Sequence, residues 1–83
     1  DQYQCNIQIL GTYQPKKTHQ VVIRKTLDMQ ITFFYLDEHH QLLNVIAVND
    51  SKLVKLAKRW MASHRELDPA QLQDPDFNLM KLK

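Results

Sequence analysis

The chain is 83 residues long, 43% hydrophobic and 24% charged, with a formal net charge of +2. That length fits one small domain, and no apolar run approaches the roughly 18 residues of a membrane span. A single glycine, Gly11, excludes the Gly-rich cradles that hold nucleotide phosphates; a single cysteine, Cys5, excludes an internal disulfide; and so mild a charge does not by itself imply nucleic acid or membrane.

The first residue is Asp1 rather than methionine. With the glycine count, this reads as a piece of a larger protein. It is expected to be a single domain over residues 1–83 that supports, completes or docks rather than doing chemistry alone. The lone cysteine and the lack of a signal-peptide pattern suit the cytoplasm.

Residues 4–10 alternate, with Cys5, Ile7 and Ile9 on one side and Asn6 and Gln8 on the other, which is strand spacing ended by Gly11. Cys5 is expected to be inert core. Residues 11–17 read as a loop around Pro15. Residues 18–24 form a second strand around Val21, Val22 and Ile23, and Leu27-Asp28 marks a turn. Residues 29–36 are rich in β-branched and aromatic types and make the clearest strand. Asp37-Glu38-His39-His40 is a polar hairpin tip, and residues 41–48 return as a fourth strand. Short connections favour an antiparallel meander.

From Asn49 the period changes to that of a helix. Leu53, Val54, Leu56, Ala57, Trp60, Met61 and His64 share one arc; Lys52, Lys55, Lys58, Arg59 and Arg65 share the opposite one. Asp50 or Ser51 caps the start. Asp68-Pro69 begins a short helical turn through Leu72, Asp74-Pro75 ends it, and residues 78–82 form a last turn. The fold class is therefore α+β: a four-stranded antiparallel sheet, one long amphipathic helix and a short helical tail. The third and fourth strands are apolar on both faces, with Ile31, Phe33 and Tyr35 opposed to Phe34 and Leu36. A sheet with one wet face alternates more cleanly. The helix can cover one side, so something else must cover the other.

Several features have a plain structural reading beside a functional one. The basic arc is either a solvated face or a patch that attracts an acidic partner. Trp60, centred on the apolar arc, reads as core. The four histidines do not converge, and no cysteine or acidic spacing completes a metal site. No serine or cysteine has a positioned histidine, so no catalytic residue is expected.

The order of motifs resembles the C-terminal domain of the FAD-dependent ferredoxin reductases that serve oxygenases. Asp1-Gln2-Tyr3 is similar to the second half of that family's opening segment, and Phe34-Tyr35-Leu36 to its aromatic strand. Ala47-Val48-Asn49 resembles the strand-to-helix junction, Asp68-Pro69 with Leu72 and Asp74-Pro75 the loop of two proline turns, and Leu79, Lys81 and Leu82 the terminal motif. The junction continues Asp50-Ser51 instead of the usual Arg-Pro, so no role of that arginine carries over. The resemblance implies a three-domain flavoenzyme whose first two domains hold FAD and NAD(P)H. The third closes over the flavin, with Asp1, Gln2 and Tyr3 on the flavin side, and helps shape the surface for an acidic ferredoxin through Lys52, Lys55, Lys58 and Arg59. It leaves room for a homodimer and implies that the fragment alone is inactive.

Two rivals share the architecture. A small nucleic-acid-binding module also pairs a sheet with a basic helix, but this chain lacks an N-terminal helix and an RNP-type motif, and its tail carries Glu66, Asp68, Asp74 and Asp76. A dimerisation domain of the disulfide-reductase kind uses a His-Pro pair that is absent here.

Overall fold

The β-branched and aromatic stretches form the strands expected of them. The computed structural model describes residues 6–26 and 29–82. It has β1 (Ile7–Gly11), β2 (Gln20–Lys25), β3 (Ile31–Leu36), β4 (Leu42–Val48), α1 (Ser51–Ser63), α2 (Pro69–Gln73) and a 3₁₀ turn, Leu79–Leu82. Cys5, the turn at Leu27-Asp28 and the Asp1-Gln2-Tyr3 motif lie outside the described residues.

All pairings are antiparallel and β2-β3-β4 form the expected meander, but the strand order is β1-β4-β3-β2. β1 thus joins the far edge beside β4 rather than pairing with β2. The connection after Gly11 crosses the end of the sheet, where Tyr13 packs edge-on against Tyr35 with ring centroids 5.5 Å apart. A local pattern gives strand existence but not the partner of an edge strand, because that pairing is non-local.

The register sets two faces. Leu10, Val45, Phe34 and Val22 are aligned across the four strands on one face. Val45, Phe34 and Val22 are buried there, and Leu10 packs against them. Ile9, Ile46, Phe33 and Ile23 are aligned across the other. Between Tyr35 and Leu36 the register shifts, so that Tyr35 faces Asn44 while Leu36 faces Leu42. Leu43 is the extra residue of a β-bulge. This changes the phase of β4: Leu42, Val45 and Ala47 are all buried, which simple alternation separates.

α1 covers the first face. Asp50 accepts a hydrogen bond from the Leu53 N–H at 3.3 Å, capping the first turn. Leu53, Val54, Leu56, Ala57 and Trp60 are buried, whereas His64 is the left-handed C-cap, exposed rather than part of the apolar stripe. Trp60 lies at 1% exposure with its ring 6.4 Å from that of Phe34. Burying a side chain of this size contributes about 1.5–3 kcal/mol. The Trp60 Nε1–H donates to the Leu82 carbonyl at 2.8 Å, tying the 3₁₀ turn to the helix.

α2 begins where the sequence places it. Asp68 caps it by accepting from the Ala70 N–H, with Pro69 in the first turn and Asp74 as C-cap. Leu72 then seals the core beside β2, fully buried. Arg24, on the core face of β2, fastens this tail. Its Nη1 donates to the carbonyls of Gln71, Leu72 and Asp74, and its Nη2 to those of Pro75 and Phe77. Burial lowers the guanidinium from its ordinary range, while the charges of Asp50 and Asp74 act in the opposite direction.

Candidate interaction surfaces

Two surfaces stand out, one on each side of the sheet–helix sandwich. The first is the uncovered sheet face. Ile7 and Ile9 of β1 are 59% and 67% exposed, and Val21 and Ile23 of β2 are 45% and 46% exposed. Between them lie the half-buried Ile31, Phe33, Tyr35, Ile46 and Val48. The apolar side of the β1 alternation therefore points away from the core. No element among the described residues packs on this face other than the Tyr13 loop at one end. A continuous apolar surface spanning four strands is the mark of a covered interface rather than of a solvated one.

The second surface lies on the outer side of α1. Lys52, Lys55 and Arg59 are spaced so that they fall on one stripe of the helix. Together with Leu56 and Met80 they line a surface cleft of about 240 Å³. Lys58 is exposed on the same helix but does not line the cleft. Among the described residues, no carboxylate lies within ion-pair distance of these four cations. Met80 enters from the 3₁₀ turn. That turn is set by the Asn78 Oδ1, which accepts from the Met80 N–H at 3.0 Å, by the Trp60–Leu82 bond and by the burial of Leu79.

One end of the sheet is held by a polar clasp. Asn49 adopts a left-handed conformation with φ 61, its N–H donates to the Asn6 carbonyl at 2.7 Å, and its Oδ1 accepts from the Asn6 N–H at 2.9 Å. This clasp sets the start of β1 beside the start of α1.

Among the described residues, no group of three or more histidine, cysteine or acidic side chains converges on a centre that could hold a metal. His39 stands 3.4 Å from Glu38 at the exposed hairpin tip, while His19 precedes β2 and His64 ends α1. His19 thus lies just outside the strand in which the sequence places it. Met80 and Arg24 are the two residues whose roles sequence reasoning did not single out.

The fold and these surfaces can be set beside known proteins. The profile of a family described as "Reductase C-terminal" matches residues 1–83, the whole chain. The chain belongs to the reductase C-terminal family. A curated relative, the anthranilate 1,2-dioxygenase system ferredoxin–NAD(+) reductase component of Burkholderia cepacia, is 34% identical over 79 residues. The alignment covers 95% of this chain and 19% of that protein. A solved structure described as that of Fdr9 superposes with a TM-score of 0.74 at 25% identity, over 90% of this chain and 19% of the other. This reductase C-terminal domain therefore spans about a fifth of the length of the relatives it matches. The motif resemblance read from Tyr35, Asn49, Asp68-Pro69 and the tail is thereby supported on independent grounds. Among the described residues no helix is long and apolar enough to cross a membrane.

Proposed function

We propose that this domain completes an FAD-dependent NAD(P)H:ferredoxin reductase, an oxidoreductase that passes electrons from NAD(P)H through FAD to a ferredoxin. The observation that carries the reading is the family match over the whole chain, together with 34% identity to a component named as a ferredoxin–NAD(+) reductase. FAD supplies the step between two-electron hydride chemistry and single-electron delivery. The phosphate cradle for it is expected elsewhere in the reductase. The one glycine of this chain, Gly11, is a strand residue packed against the Leu43 carbonyl, not part of a phosphate cradle.

What the chain contributes is surface. The uncovered sheet face takes the flavin-bearing body of the same polypeptide, with Asp1, Gln2 and Tyr3 on the flavin side. Its apolar rows fit a permanent intramolecular contact, which excludes water from the buried side. The uncompensated cations Lys52, Lys55, Lys58 and Arg59 take an acidic ferredoxin. A single-sign patch raises the association rate and makes it salt-dependent.

In the full-length protein, Lys55→Glu with Arg59→Glu is expected to lower kcat/KM for ferredoxin by roughly tenfold at low ionic strength. NAD(P)H-dependent ferricyanide reduction stays unchanged, because a small anion needs no docking surface. Ferredoxin kinetics that do not respond to these charge reversals at low salt remove the docking role.

A further inference from the structure

A cationic stripe alone attracts an acidic surface without choosing an orientation for it. The cleft of α1 adds something that a charged stripe lacks. Met80 is 39% exposed, although the turn that carries it is pinned on both sides, by Asn78 and by the Trp60 bond to Leu82. Leu56, at 3% exposure, forms the apolar floor beside it. Lys52, Lys55 and Arg59 ring this apolar spot. The centre is oily, preorganised and small, and the rim is charged and wet. That is the anatomy of a binding hot spot surrounded by residues that exclude water. Methionine suits the centre, because its polarisable, unbranched side chain adapts to an inserted group.

We infer that Met80 and Leu56 form the apolar socket for a protruding apolar or aromatic side chain on the acidic partner, flanked there by carboxylates that meet Lys55 and Arg59. This rests on the docking reading above and deepens it, by assigning orientation to Met80 and attraction to the cations. The Asn6–Asn49 clasp holds the first turn of α1 beside the incoming β1 strand.

The two roles separate by salt. An apolar contact keeps its strength as ionic strength rises, whereas attraction by exposed cations is screened within a Debye length of about 10 Å at 0.1 M. The test uses the full-length reductase with an acidic [2Fe–2S] ferredoxin as probe. Met80→Ala is expected to raise KM for ferredoxin about fivefold to tenfold, by the same factor at low and high salt. Met80→Leu retains near wild-type KM, and ferricyanide reduction and thermal midpoint stay unchanged in both. The loss in Lys55→Glu instead shrinks as salt is raised. If Met80→Ala and Met80→Glu leave KM for ferredoxin unaltered while Lys55→Glu raises it, the socket is wrong and the docking reading stands. If none of the three changes KM, both fall. A Met80→Ala loss that Met80→Leu does not restore, or that comes with a lowered thermal midpoint, makes the residue structural and overturns the inference.

Discussion

The guanidinium of Arg24 reaches the carbonyl of Phe77 at 2.8 Å, a bond between residues 53 positions apart. Arg24 sits at the edge of the sheet, and Phe77 lies in the loop that leads to the last turn. The planar fork lets one side chain serve carbonyls on both sides of Pro75. This is how a tail with few buried side chains stays against the core.

Arg24→Ala removes the side-chain donor from those carbonyls, of which Asp74 keeps the Phe77 N–H at 3.1 Å, and is expected to destabilise the fold by about 1–2 kcal/mol, read as a shift in the urea midpoint at constant slope. Arg24→Lys restores less than half of this, because a single ammonium cannot reach both ends of the loop. Equal stability of Arg24→Lys and wild type contradicts the assignment.

Gly11 has φ 83, and a Cβ placed there meets the Leu43 carbonyl oxygen at 2.5 Å and the Asn44 Cβ at 3.0 Å. Backbone cannot yield as a flexible side chain does. Gly11→Ala is therefore expected to lose about 1–3 kcal/mol, combining an unfavourable backbone conformation with the clash beside the β-bulge. A thermal midpoint within a degree of wild type contradicts this.

On the uncovered sheet face, Ile9→Thr with Ile23→Thr removes apolar area that the domain's own core does not use. The isolated domain loses less than about 1 kcal/mol, as substitutions at exposed sites do. On the proposed reading, the same pair in the full-length reductase is expected to weaken attachment of the domain, measured as earlier release of FAD fluorescence on heating. If full-length FAD release is unmoved, the flavin-bearing body does not sit on that face.

Much of this was legible in the sequence. The helical period from Leu53 to Trp60, the Asp50 cap and the Asp68-Pro69 start carry their own local signals, and each lies where it is expected. The doubly apolar strands also announced a face needing cover. The rest depends on contacts between distant segments. The pairing of β1 with β4 closes a loop of 43 positions at the Asn6–Asn49 clasp, which no local pattern encodes. The bulge at Leu43 inverts the alternation of β4, so its inward set reads wrongly by period alone. A cation in a strand reads as solvated, which hid Arg24. Met80 reads as a tail residue until the 3₁₀ turn sets it across from Leu56.

The sandwich keeps its oily side and its cationic cleft apart, with a whole layer of backbone between Ile9 and Lys55. Substitutions so separated, sharing no neighbours, sum in free energy rather than interact. Mutational drift can therefore alter the cleft without disturbing the sheet face, and the reverse holds equally.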